Sequence, residues 1–219
     1  MERNSEAVKR KRRYDSSGRQ AQARQSRLAV LDIAERFFLE QGYAPTTIAA
    51  IAEAAAVSAE TIYKTFGGKP GLVRAIRDRR LTGGGTPSAE QRSNRMRMSE
   101  PNPRIIIDNW GKLTAEVAPT IWPILALIRD AAATDPDLGG LLDDLDQERH
   151  RRMEVNARHL YESGHIRSDV SLEEATDVLW TYSSPELYEL LVLRRKWTPE
   201  RYGRFVAGSI QAALLPPAE

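Results

Sequence analysis

The sequence predicts an all-α protein built from an N-terminal three-helix unit and a larger C-terminal helical bundle. Three observations lead there. Apolar residues recur at i, i+3, i+4, i+7 in nearly every periodic segment of the 219 residues. Between those segments stand helix starts and stops, such as Gly42, Ser58, Gly67-Gly68, Asp135-Pro136, Ser171 and Thr198-Pro199. The charge is also divided. Residues 1–80 hold 16 Lys+Arg against 9 Asp+Glu, a net of +7, whereas the remaining residues hold 16 against 21, a net of −5. A basic end on an acidic body implies one polyanion-binding module and one module with another task.

A chain that is 41% hydrophobic can bury a sizeable core. It contains no cysteine, which removes disulfides, thiolate nucleophiles and thiolate metal sites. The first residues are charged, not an apolar signal, and no apolar run approaches the length of a membrane span. The expectation is a cytoplasmic protein without a membrane contact.

Residues 1–20 read as a disordered basic arm. Lys9-Arg10-Lys11-Arg12-Arg13 is followed by Ser16, Ser17 and Gly18, and such an arm can reach phosphates or a minor groove. A membrane surface would attract the same run, but no apolar segment or lipidation signal adjoins it. From Ala21 to Gln41 an amphipathic helix runs through Leu28, Leu31, Ala34 and Phe38, and Gly42 closes it. Two short helices and a tight turn follow over about 47–66. Ile48, Ile51, Ala52 and Ala55 form the inner stripe of the first, which Thr46 or Thr47 caps. Val57 fills the corner and Ser58 caps the second helix, where Ile62 and Phe66 face inward. Ala59, Glu60, Tyr63 and Lys64 lie on its other side, with Glu60 and Lys64 spaced as an i, i+4 pair. A core-held helix with a small, hydrogen-bonding, cationic outer face suits a major groove. Gly67 and Gly68 release the chain into a helix from Lys69 to Arg80.

Residues 83–103 are polar and poor in apolar anchors, which predicts a linker or loop; no Gly-Lys-Ser/Thr follows the triple glycine, so it is not a phosphate loop. In the C-terminal part, 104–217, helices are expected over 104–117 and 121–133, with a break at Pro119, and over 141–163. Ser171-x-x-Glu174 is a capping box opening a helix through Trp180. Pro185 should break it before Leu187–Leu193, and Thr198-Pro199-Glu200 opens the last helix, which Pro216-Pro217 ends.

The order of a basic arm, Gly42-Tyr43, Thr46-Thr47, Ile51-Ala52, Ala55-x-Val57-Ser58, Thr61-Ile62-Tyr63, Phe66 and Lys69 resembles the tetracycline-repressor (TetR) family of transcriptional regulators over about residues 24–84. Domain limits follow: the helix-turn-helix unit over 21–82, then the linker, then an effector-binding and dimerisation domain. Two positions depart from the family pattern. Ala56 stands where glycine is usual in the turn, and Gly68 and Pro70 replace the more usual capping and acidic residues.

The resemblance implies a homodimer on double-stranded DNA, with the second motif helix in the major groove of each half of a near-palindromic operator. Carried onto this chain, Ser58, Ala59, Glu60, Thr61, Tyr63 and Lys64 face the groove, while Thr46, Thr47, Tyr63 and Lys69 meet phosphates. Two roles stand open for Glu60: accepting from a cytosine amine, or pairing with Lys64 at the surface. The resemblance also implies a small-molecule effector in the bundle, and a regulator, most simply a repressor that the effector releases. Trp110, Trp122, Met153, Tyr161 and Trp180 offer a pocket lining, each with plain core as its alternative. For the dimer interface the residues are Leu187, Leu190, Leu191, Tyr202, Phe205, Val206 and Ile210. No cofactor and no metal are expected, because the histidines are scattered, and the run Asp143, Asp144, Asp146, Glu148 reads as a solvated face. A helical-bundle enzyme with a basic appendage lacks a nucleophile motif here. An architectural nucleic-acid binder without an effector would have a filled bundle core.

Overall fold

The computed structural model describes residues 16–82 and 87–217, so the basic run at 9–13 lies outside the described residues. Among the described residues ten helices follow one another: α1 (Ser16–Gln41), α2 (Ile48–Ala54), α3 (Ala59–Phe66), α4 (Lys69–Leu81), α5 (Ala89–Ser99), α6 (Pro103–Ala132), α7 (Pro136–Glu162), α8 (Leu172–Tyr182), α9 (Pro185–Tyr188) and α10 (Pro199–Leu214). A π-helical segment, Glu189–Arg194, continues α9. No strand occurs among the described residues.

The described chain buries two cores. The first joins Leu31, Ala34 and Phe38 of α1 to Ile51, Ile62, Leu72 and Ile76 of α2–α4. It also takes in Ile124 and Ile128 of α6 with Leu138, Leu141 and Leu145 of α7. The second gathers Ile106, Ile107 and Trp110 of α6, Leu160 of α7, Leu179 of α8, and Tyr202, Val206 and Ile210 of α10. A helix of 30 residues is about 45 Å long, so α6 can serve both cores. The N-terminal unit is therefore packed into the bundle and does not hang from it by a linker.

Several local expectations change for that reason. Residues 16–20, expected in the arm, are already the first turns of α1. Within the expected linker, Ser88 and Gln91 make both halves of a capping box and open α5. Pro119 does not break α6, which passes through both Pro119 and Pro123. Burial of Ala115, Ala118, Ile121, Ile124 and Ile128 on either side of the prolines outweighs their missing N–H groups, a cost of about 3 kcal/mol for an interior proline. Helix α7 starts at Pro136 because the Asp135 carboxylate accepts from the amides of Asp137 and Leu138. Leu28, expected inside, is 46% exposed. The capping box at Ser171 and Glu174 and the Thr198 cap are both made.

Helices α6 and α10 cross on glycine. A Cβ on Gly111 would lie 2.4 Å from the carbonyl oxygen of Gly203, closer than any real contact. That crossing sets Trp110 and Tyr202, one residue before each glycine, beside the same helix junction.

Candidate nucleic-acid interface and bundle cavity

Two side-chain caps shape the helix-turn-helix. The Thr47 hydroxyl accepts from the Ala50 amide at 3.1 Å to start α2, and the Ser58 hydroxyl accepts from the Thr61 amide at 3.1 Å to start α3. The turn between them requires a left-handed residue, and Ala56 occupies it at φ +52°. Its amide donates to Glu53 O, and the Val57 amide donates to Ala52 O. Ile62 is fully buried beneath α3, leaving Glu60, Thr61, Tyr63, Lys64 and Thr65 exposed on its outer side. Tyr63 is 57% exposed.

The expected DNA-facing residues divide accordingly. Thr46 is a correction: it is 1% exposed, and its hydroxyl donates to Gly42 O at 2.8 Å, so it fastens the α1–α2 loop and is closed to a phosphate. Ala59 is a partial one, since it packs against the first core. The i, i+4 spacing of Glu60 and Lys64 produces no ion pair within 4 Å among the described residues. Ser58 is exposed, but its Oγ lies 2.8 Å from Thr61 Oγ1 as well as capping α3. Lys69 sits 4.0 Å above the Tyr43 ring and donates to Ala44 O at 3.3 Å. Burial lowers its pKa, against the opposing pull of Asp135. The Tyr43 phenol is pushed up, first by burial and then by Asp135 and Asp137. Sequence reasoning missed Arg24 and Arg27 of α1, which line a crevice with Thr61 and Thr65 of α3. The Arg27 guanidinium lies 4.6 Å from the Phe66 ring centre. Their i, i+3 spacing was the available signal.

Behind α3, the basic helix α4 is tied to the acidic helix α7. Arg74 donates to Asp144 and to Glu148, each at 2.7 Å, and Arg77 donates to Glu148 at 3.0 Å. Asp144 and Glu148, read from sequence as a solvated face, are thus partners of α4. Arg79 and Arg80 reach back to Glu35 of α1. Beyond this junction a cavity of about 680 Å³ runs from α4 to α10. Its walls include Arg77, Trp110, Val117, Ile121, Leu145, Met153, Leu179, Tyr202 and Ile210. No curated protein matches the chain in sequence. A family model, that of the bacterial regulatory proteins of the tetR family, matches residues 30–76, the stretch from α1 through α4 that holds the two caps.

Over that stretch the chain is similar to the tetR family of bacterial regulatory proteins. The matched unit is that of a DNA-binding regulator of transcription. Solved structures share the fold along nearly the whole chain. The protein in a SmeT–triclosan complex is 21% identical, with a TM-score of 0.68 over 89% of this chain and 93% of its own. NalD of Pseudomonas aeruginosa, named as the secondary repressor of the MexAB-OprM multidrug efflux pump, is 18% identical, with a TM-score of 0.65 over 90% and 100%. Salmonella enterica GusR is 16% identical, with a TM-score of 0.62 over 87% and 95%.

Of the five pocket residues expected of a TetR-family bundle, the cavity wall contains Trp110 and Met153. Trp122, Tyr161 and Trp180 are corrections. Trp122 packs against Tyr188 and beneath Arg129, Tyr161 is 48% exposed, and Trp180 packs edge-on against His150 with Arg149 over it. Helical spacing placed these aromatics near the bundle but could not say which way each turned. The expected dimer residues also divide. Tyr202, Val206 and Ile210 are buried within the chain at 0%, 1% and 3% exposure, because α10 turns that side to α6. Leu187 and Leu191 are partly buried against the same core. Leu190 and Phe205 remain exposed at 47% and 37%, and nearby Leu193, outside the expected set, at 36%. Phe205 packs edge-on against Tyr182 and Trp197 at its base. Among the described residues no helix is long and apolar enough to cross a membrane.

Proposed function

We propose that this protein is a TetR-family regulator that binds a near-palindromic operator as a homodimer and is released from it by a small molecule held in the bundle. The observation that carries the reading is that the cavity and the α4–α7 ion pairs share residues: Arg77 and Glu148 line the one and form the other. A ligand that displaces either side chain changes how α4 sits on α7, and α4 follows α3 after only Gly67 and Gly68. The effect on DNA then equals the ligand's preference for one placement of α4 over another. An architectural binder would have had a filled core at this place; the 680 Å³ cavity favours the regulator.

On the DNA side, Glu60, Thr61 and Lys64 supply the groove face, Ser58 and Thr47 the helix starts, and Tyr63 at the edge of that face joins Lys69 as a phosphate contact. Across the two-fold axis, Leu190, Leu193 and Phe205, the exposed large apolar residues of the π-helical segment and α10, face a second copy. Genomic fragments retained by the full-length protein, sequenced with and without a small-molecule extract, test the reading. Retention of palindromic sites that the extract abolishes supports it. Retention without sequence preference, unaffected by any extract, would sink it in favour of an architectural role.

A further inference from the structure

Given the effector-release reading above, the cavity wall specifies one end of the effector. Two polar residues of that wall are buried, Ser93 of α5 at 6% exposure and Asn156 of α7 at 5%. Neither side chain makes a hydrogen bond among the described residues. Neither is sealed away: the partnerless polar atoms without accessible surface belong to Arg77, Arg92, Trp110, Arg167, Trp180 and Tyr202. The Ser93 hydroxyl and the Asn156 amide therefore keep some accessible surface, and the space that both residues line is the cavity.

The two lie in one seam. Arg152 of α7 pairs with Glu90 of α5, and Arg97 of α5 donates to the Val155 carbonyl oxygen at 3.1 Å. Ser93 stands between Glu90 and Arg97 on the same face of α5, three residues after the one and four before the other. Asn156 follows Val155 and lies one helical turn beyond Arg152. Packing gives no reason for a polar group here. The other buried residues of α7 are Leu138, Leu141, Leu145, Ala157 and Leu160, and asparagine is a poor helix former. A residue that breaks the local pattern with no compensating partner marks a functional place. Arg151, which has no acidic partner among the described residues, and Asp78, which pairs with Arg77, also line the cavity. Both are exposed, so they bear on the solvent side of a ligand and not on what this seam accepts.

Asn156 Oδ1 can only accept and its Nδ2 can only donate, while Ser93 Oγ does either. A ligand group that only accepts, such as an ether or a carboxylate, leaves Oδ1 unmet at a cost. The geometry points to an effector with an apolar body and a head that both donates and accepts, a hydroxyl or a primary amide, received by Ser93 and Asn156. Trp110, Val117 and Met153 line the same cavity for the body.

Four biphenyls that differ at one end test this on the full-length protein by quenching of tryptophan fluorescence. 4-Phenylphenol donates and accepts, 4-methoxybiphenyl and biphenyl-4-carboxylate only accept, and 4-methylbiphenyl does neither. Each is titrated into wild type, Ser93→Ala and Asn156→Ala. Wild type should bind the phenol at least about threefold more tightly than the ether or the carboxylate. Each variant should weaken the phenol by roughly three- to tenfold, the effect of one hydrogen bond, and the methyl compound by less than about twofold. Equal affinities of phenol and ether in wild type, or tighter binding of the carboxylate, would overturn the head that both donates and accepts. Losses for the phenol matched by the methyl compound, or no loss for either, would overturn the Ser93–Asn156 subsite while leaving a ligand-binding cavity in place. Melting gives a readout without probes: Asn156→Ala should melt no lower than wild type, since alanine is the better helix former and no hydrogen bond is lost. A fall of more than about 3 °C would show that the amide holds the fold, and would overturn its assignment to a ligand. If the wild type binds none of the four, the effector cavity falls and the subsite with it.

Discussion

Arg77 Nη1 donates to Glu148 Oε2 across 3.0 Å, joining the helix behind the DNA reader to the wall of the bundle cavity. Arg77 is 12% exposed and Glu148 37%, so the pair lies half in solvent and its strength is modest. A double-mutant cycle of Arg77→Gln and Glu148→Gln, read by urea unfolding, should return a coupling of about 0.5–1 kcal/mol. Additive effects would mean that the two side chains are neighbours without energetic linkage.

At the helix crossing the expected effect is larger. Gly111→Ala drives a methyl against the Gly203 backbone and the Ala207 side chain, and neither is a flexible group that can swing away. Overpacking of this kind costs roughly 1–3 kcal/mol. Thermal unfolding should show that loss, whereas Gly140→Ala, which meets open space, should not.

Strain in the turn of the DNA reader gives the opposite sign. Ala56 sits at φ +52°, a conformation that costs an alanine about 1 kcal/mol or more. Ala56→Gly relieves it but frees the unfolded chain, so the net gain should be about 0.5–1 kcal/mol, or roughly 1–4 °C in melting temperature. A fall in melting temperature would show that the turn is relaxed with alanine in place.

Reading and holding should separate within α3 and its neighbours. Tyr63→Phe and Lys69→Ala should weaken all operators about equally, since phosphates carry no sequence information. Glu60→Ala should relax preference at one base position in each half-site, at roughly 1–3 kcal/mol against the correct base. A randomised-site selection on the three variants decides. Unchanged base preferences in Glu60→Ala would move base readout to Thr61 or Lys64.

For assembly, Leu190→Glu places a charge on a surface residue that makes little of the chain's own core. It should leave the fold intact and turn dimers into monomers in sedimentation runs, with loss of operator binding. Dimers of undiminished affinity would put the interface on another face.

By itself the sequence determined the helical class, the Ser58 cap and a threonine cap at 46 or 47, the burial of Ile51, Ile62 and Phe38, and the likeness to the tetR regulators. Each is local or periodic: a cap needs a hydroxyl three residues before an amide, and an inner stripe needs only helical spacing. Tertiary structure decided what depends on a partner distant in the chain. It carried α6 through Pro119 because two cores bury it on both sides. It also turned Tyr202, Val206 and Ile210 inward, since Gly111 and Gly203 let α10 approach α6 so closely. Arg74 and Arg77 found Asp144 and Glu148 some seventy residues away, a pairing that no helical period announces. Periodicity names the face that a helix buries. Which neighbour covers that face, and which part stays open as a cavity, follows from packing between segments remote in sequence.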